Sequence, residues 1–218
     1  MKAIKFKRLG TADVMHLAEA ATPKVHPRDV LVRVAAAGVN RPDLPQRAGF
    51  YGREDFGDGP LLGHSLCQCR KVCRSSKLMI PGTLITAFEA VSHWANAGPG
   101  TSVLVRATAV GIGCASVHTA HVLGARVLGT TTGTLASEVI ALGAEAAFDD
   151  NTEAFYAYIR RHTGGAGVHA IFNPVGGDRL VRSLRSLRPG GCIVQIGLLN
   201  GRPNAFIPLE VLLPGTCV

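Results

Sequence analysis

From Pro81 onward, short apolar runs alternate with helical stretches, and a glycine-containing turn separates most neighbouring pairs. The pattern predicts strands at Ser102–Arg106, Ala125–Gly129, Glu145–Phe148, Val168–Phe172 and Gly191–Ile196. Helices are expected from the turn at Thr108–Gly113 through about Leu123, and near Leu135–Leu142, Thr152–His162 and Asp178–Leu187. Strands this apolar need cover on both faces, and parallel neighbours need a crossover of a dozen or more residues, which a helix supplies. The expectation is an α/β fold, a Rossmann-type doubly wound parallel sheet, over residues 81–218.

Residues 1–63 read differently. Asp29–Ala36 (DVLVRVAA) alternates apolar and polar side chains as a half-buried strand does, so this part is expected to be β-rich. The following GVNRPDLPQRAGFYGREDFGDGP is so interrupted by Gly and Pro that it cannot hold long regular elements, and it reads as a loop shaped for contact. Ser65–Met79 shows neither a strand nor a helix period and is expected to be an irregular join. The division is 1–80 and 81–218.

Composition removes several function classes. With 47% apolar and 17% charged residues among 218, global disorder is excluded. Neither a long apolar span nor a signal-type leader is evident, so a reducing, cytoplasmic setting without membrane contact is expected, and the six cysteines read as thiols. A net charge of +8 attracts anions without choosing among them. The densest basic groups, Arg70/Lys71/Arg74/Lys77 and Arg179/Arg182/Arg185/Arg188, lack interleaved aromatics, which argues against nucleic acid. Cys67, Cys69 and Cys73 lack a fourth local ligand, so no metal is expected there.

The turn Thr108-Ala109-Val110-Gly111-Ile112-Gly113 lies between a strand and a helix start, where free N–H groups and the helix dipole favour a pyrophosphate. Against G-x-G-x-x-G only Gly113 is in phase, and Gly111 is extra. A tight packing turn and a nucleotide site therefore both fit. At the end of the second strand of this series, Gly129-Thr130-Thr131-Thr132-Gly133 carries no carboxylate to repel a 2′-phosphate, which favours NADPH over NADH.

The opening MKAIKF, the block DVLVRVAAAGVNRPDLPQRAGFY, the entry PGTLITAFEAVSHWANAGPGTSVLVRA, the turn VGIG and the later GGAGVHAIFNPVGGDRLVRSLRSLRPGGCIVQIG are shared in order with a known family. On these blocks the chain resembles the medium-chain dehydrogenase/reductase superfamily, in its zinc-independent quinone oxidoreductase branch. The resemblance implies a Rossmann domain beside a GroES-like catalytic domain, truncated here because the segment after LLGHS is short and the chain ends soon after its fifth parallel strand. It also implies metal-free transfer of hydride from NADPH to a quinone or activated alkene. Asn40 stands where zinc-dependent relatives place a cysteine ligand, and the lone His64 reads as structural. By the same resemblance Asn40, Asp43 and Tyr51 fall at the catalytic and substrate end. Asn40, Thr86, Val110, Gly111, Ile112, Gly113, Thr131, Thr132 and Gly197 fall along the coenzyme. Three residues depart from the family: Val110 replaces a small residue, Leu135 a lysine, and Asp150 a tyrosine. A homodimer is implied, with Ala205–Leu212 as its strand. The alternative is a shortened, catalytically weak nucleotide-binding or interaction protein.

Overall fold

The first strand, β1 (Lys2–Phe6), ends on a buried Phe6. It pairs antiparallel with β2 (Met15–Glu19), in register from Lys2 opposite Glu19 to Phe6 opposite Met15. A single 3₁₀ turn between them, Ala12–Val14, buries Val14. In the computed structural model the described residues are 2–6, 8–22, 24–25, 27, 31, 36–38, 43–48, 65–67, 80–132, 134–149, 151 and 155–199. They belong to two units, Met1–Gly82 and Thr83–Val218.

In the first unit a second antiparallel pair joins β3 (Ala36–Gly38) to β4 (Ser65–Cys67). The expected strand Asp29–Ala36 is described here only from Ala36 on, apart from the isolated Leu31. β4 lies inside the stretch expected to be irregular, because three residues are too few to show a period. α1 (Asp43–Ala48) interrupts the Gly/Pro-rich loop. Its Pro45 falls in the first turn, where a missing N–H forfeits no intrahelical bond. Arg47 anchors the helix: its carbonyl accepts from the Gly10 amide and its Nε donates to the Gly10 carbonyl, both at 3.1 Å.

α2 (Ile80–Phe88) runs on into a π-helical turn at Glu89–Trp94. Five-residue steps such as the Ala95 amide to the Ala90 carbonyl, 2.9 Å, bring Ala90, Val91 and Ala95 to the core together. After it come β5 (Ser102–Val105), α3 (Gly111–Val122), β6 (Arg126–Thr131), α4 (Ala136–Ala141), β7 (Ala146–Asp149), α5 (Phe155–His162), β8 (Val168–Asn173), α6 (Asp178–Leu184) and β9 (Leu187–Gln195). The five strands form one parallel sheet in the order β7-β6-β5-β8-β9, so the doubly wound fold read from sequence is the one observed.

Strand alternation divides the interior into two layers. Val103, Val105, Val127, Ala170 and Phe172 pack with Val117 and Ala120 of α3. Leu104, Leu128, Ile171 and Ile193 pack with Phe155 and Ile159 of α5 and Leu180 and Leu184 of α6. Arg106 follows directly on β5 and is 1% exposed. Its Nη1 donates to Ser183 Oγ at 2.7 Å, and its guanidinium carbon stands 4.9 Å from the centre of the Phe155 ring, so the charge is held by a hydroxyl and a π face.

Both boundaries at the α6–β9 junction differ from the sequence expectation. α6 stops at Leu184, where Ser186 N–H turns back to the Ser183 carbonyl and Leu187 pairs with Val168. β9 therefore begins four residues early, and a bulge between the Val168 and Ala170 pairings absorbs the turn-forming Arg188-Pro189-Gly190, with Gly190 at φ +72°. No helix among the described residues is long and apolar enough to cross a membrane.

Between β5 and β8, Ser102 donates through both its amide (3.1 Å) and its hydroxyl (3.0 Å) to Nδ1 of His169. Burial, and then the charge of Arg188, hold this histidine below its ordinary 6.5. The neutral ring is the form that accepts the Ser102 amide. Below pH 6.5 the unfolded chain takes up a proton that the native ring resists, so the native state loses stability as pH falls through that value. Denaturant midpoints should fall on going from about pH 7.5 to 5.5, and His169→Gln, which keeps an acceptor but does not titrate, should flatten part of that fall.

Candidate functional site

Open α/β sheets bind ligands beyond the carboxyl ends of their strands, where the strand order reverses. Here the chain leaves β5 toward β6 on one side and returns from β7 to β8 on the other. At that end lies a cleft of about 260 Å³ lined by Ala107, Ala109, Val110, Thr130, Thr131, Thr132, Val175, Arg179 and Leu199.

The turn after β5 forms one wall, and β6 pins it. The Ala107 amide donates to Thr130 Oγ1 (3.2 Å), and the Thr108 amide and hydroxyl both donate to the Thr130 carbonyl (2.8 Å each). Ala107 is thereby held at φ +52°, a left-handed conformation that costs an alanine about 1–2 kcal/mol. Val110, the residue before α3, is extended (φ −102°, ψ 157°) and 37% exposed, with its side chain on the cleft. No side chain caps α3, whose first turn carries no acidic residue, so the positive end of its dipole is not neutralised from within that turn.

Gly113 explains how the helix comes so close. A Cβ there would stand 2.8 Å from the Thr108 Cα and closer still to the Ala107 carbonyl oxygen, both backbone atoms. A Cβ on Gly111 would meet only the Thr83 methyl, at 3.9 Å. The in-phase glycine is thus the packing glycine, and Gly111 has room. Ile112 turns toward the core layer of α3. Cys114, one turn into α3, donates its thiol to the Thr108 carbonyl (3.0 Å), and burial pushes its pKa up, so it stays a thiol.

The opposite wall is the loop after β8. Asn173, fully buried, donates from Nδ2 to Gln195 Oε1 (2.9 Å) and accepts the Val175 amide at Oδ1 (3.1 Å), fixing where Val175 lines the cleft. Gln195 in turn donates to the Gly197 carbonyl. A Cβ on Gly197 would lie 3.1 Å from the Pro174 carbonyl, which accepts the Leu199 amide (3.0 Å).

Of the residues expected at the coenzyme, Val110, Thr131 and Thr132 come together on the cleft. Gly111, Ile112 and Gly113 form the start of α3, and Gly197 supports the far wall. Thr86 lies on α2, one turn beyond Thr83, and is exposed. Asp43 opens α1, in the first unit. Asn40, Tyr51, His64, Cys69, Cys73, Asp150 and Ala205–Leu212 lie outside the described residues. No group of three or more metal-ligating side chains occurs among the described residues. Sequence reasoning missed Ala107, Val175 and Leu199, and it noted Arg179 only as a member of a dense basic group.

The cleft tests whether a dinucleotide fits. Thr131 is 2% exposed, and its hydroxyl oxygen has no hydrogen-bond partner. An unsatisfied hydroxyl beside a cleft, opposite an uncapped helix start, suits a ligand that brings hydroxyls and phosphates. A cleft of this size holds part of such a ligand.

Residues 111–218 match the family model described as zinc-binding dehydrogenase. The chain is 35% identical over 133 residues to a quinone oxidoreductase-like protein 2 homolog of Nematostella vectensis, covering 61% of this chain and 36% of that protein. It spans 6% of NorB, a spectinabilin polyketide synthase system protein of Streptomyces orinoci. Among solved structures, 2-haloacrylate reductase superposes with a TM-score of 0.75 at 26% identity, over all of this chain and 80% of that one. A mycobacterial protein complexed with NADPH superposes with a TM-score of 0.75 at 23% identity and the same coverage. The sheet, the cleft and these matches define a class: the chain belongs to the medium-chain dehydrogenase/reductase superfamily. Within it, the chain is of the quinone oxidoreductase-like branch.

Two substitutions test the cleft without any ligand. Thr131→Val keeps shape and removes the unsatisfied hydroxyl, so it should raise unfolding free energy by about 1 kcal/mol. Gly113→Val forces α3 away from β5 and should lower it by about 1–3 kcal/mol or more. Denaturant titrations of the three proteins measure both.

Proposed function

We propose that this protein is an NADPH-dependent oxidoreductase that reduces quinones or activated alkenes without a metal. The observation that carries the reading is the cleft itself: an uncapped helix start, an unsatisfied buried threonine and a second threonine meet at the reversal of strand order. Support for the substrate class comes from the relatives, of which one is named a quinone oxidoreductase-like protein and another a 2-haloacrylate reductase.

When bound, NADPH would supply the hydride that a planar electrophile accepts. The chain's own contribution is binding, orientation and exclusion of water. The free amides at the start of α3, beside Val110, hold the pyrophosphate, and Thr131 and Thr132 hold the ribose. Val175 and Leu199 present apolar surface that keeps water from the bound coenzyme. Asn40, Asp43 and Tyr51 are proposed as substrate contacts on the strength of the family resemblance, and Thr86 as a coenzyme contact.

Fluorescence titration should show NADPH binding more tightly than NADH, because no carboxylate follows β6. Val110→Gly should tighten both about tenfold or more by clearing a branched side chain from the pyrophosphate wall. NADPH oxidation with a small ortho-quinone and an enone panel then tests turnover. Equal or tighter NADH binding sinks the coenzyme choice. Binding without oxidation of NADPH by any substrate leaves a nucleotide-binding protein instead.

A further inference from the structure

The turn after β5 reaches the cleft through Ala107, which is left-handed (φ +52°), a region that an alanine enters at a cost because its Cβ crowds the following carbonyl. Its conformation sets where its own carbonyl goes. That oxygen accepts the Val110 amide at 3.2 Å, and it lies against Gly113, in the space a Cβ on that glycine would need. The start of α3 is therefore seated on the Ala107 peptide. Val110, whose carbonyl accepts the Cys114 amide at 2.9 Å, is placed on the cleft by the same peptide.

We infer that Thr130 is a positioning residue for the coenzyme: its hydroxyl, by accepting the Ala107 amide, holds the left-handed turn and with it the helix amides that would meet the pyrophosphate. This rests on the coenzyme reading above. Thr130 belongs to β6, the strand beside β5, and is fully buried, so its side chain has a fixed place in the sheet. Its Oγ1 lies 3.2 Å from the Ala107 amide nitrogen, while its carbonyl accepts both the amide and the hydroxyl of Thr108 at 2.8 Å. Consecutive residues of the turn are thus gripped by two different acceptors. Of the three bonds, the two to Thr108 use the backbone of Thr130, and the one to Ala107 uses its side chain.

That division separates the hydroxyl from the sheet it stands in. Valine at position 130 keeps the β-branched shape and the backbone bonds to Thr108, and removes the acceptor of the Ala107 amide. The strain of a left-handed alanine is then no longer offset by that bond, and Ala107 relaxes toward negative φ, carrying its carbonyl away from Gly113 and Val110. Glycine at position 107 carries no such strain, because without a Cβ a positive φ costs it little. The effect of residue 130 on the ligand should therefore depend on which residue stands at position 107. A threonine that served only the sheet would show no such dependence.

The experiment titrates NADPH and NADH by fluorescence, well below the unfolding transition, into the wild type, Thr130→Ser, Thr130→Val, Ala107→Gly, Ala107→Val and the double variant Ala107→Gly/Thr130→Val. Denaturant titrations establish that each is folded. Thr130→Val should weaken both coenzymes by about tenfold and leave the ratio between them unchanged, since the pyrophosphate is common to both. Thr130→Ser keeps the hydroxyl and should stay within about threefold of the wild type. In the double variant most of the loss should return, so that Thr130→Val costs about threefold or less when glycine stands at position 107. Ala107→Val strains the same turn from its other side, with Thr130 intact, and should weaken both coenzymes by about tenfold; it decides the matter if Thr130→Val does not fold. If Thr130→Val, or Ala107→Val in its stead, lowers stability but leaves both affinities of the folded protein within about twofold, the inference is overturned while the coenzyme reading stands. An equal loss from Thr130→Val with alanine and with glycine at position 107 also overturns it, because the hydroxyl then does not act through Ala107. A wild-type protein that binds neither coenzyme overturns the coenzyme reading and this inference with it.

Discussion

The second unit depends on how closely α3 approaches β5. Backbone atoms of Ala107 and Thr108 occupy the space where a side chain on Gly113 would begin, so this position tolerates no Cβ. That approach does two things at once. It seats Val117 and Ala120 in the sheet-facing core, and it points the unpaired amides of the helix start at the end of the sheet. Packing and the shape of the cleft therefore share a single constraint, and the left-handed Ala107 is its local strain, held by hydrogen bonds to β6.

The cleft follows from topology. Because β6 and β8 flank β5 and are reached by crossovers in opposite directions, the loops after them diverge and leave a space between. Each wall is then fixed by a small polar network. Thr130 holds the turn after β5, and the buried Asn173 with Gln195 holds the loop after β8. Buried amides satisfied in this way specify geometry more sharply than apolar packing, since each lost bond leaves a desolvated polar atom. The oxygen of Thr131 is an exception inside this ordered frame, and it is the atom that a polyhydroxy ligand would satisfy.

Periodicity revealed the five parallel strands because each carries a short apolar run that packs into the interior, completely buried in β5 and nearly so in β6 and β8. It failed where the backbone departs from a standard period. The segment from α2 through Glu89–Trp94 was hidden because a π-helical turn shifts which residues face inward, placing Ala90 and Ala95 on the same side. The start of β9 was hidden because a bulge puts Arg188-Pro189-Gly190, a turn sequence by any local rule, inside a strand pairing. The short β4 and α1 carry too few residues to show a period.

The candidate site was legible in the parts that depend on residue type at one place in the chain. The glycines of the α3 turn, the threonines after β6 and the absence of an acid there are local facts, and they suit an anionic ligand as well as a tight packing turn. Their physical reason is local as well: helix amides, hydroxyls and charge act over a few ångströms along one loop. Arg179 could not be found that way, because it reaches the cleft only when β8 lies beside β5 and α6 follows from it. The division of labour between Gly111 and Gly113 likewise depended on what each would strike across the fold. Sequence by itself determined the class of sheet; tertiary structure decided which side chains line the cleft, because that is set by crossovers between residues tens of positions apart.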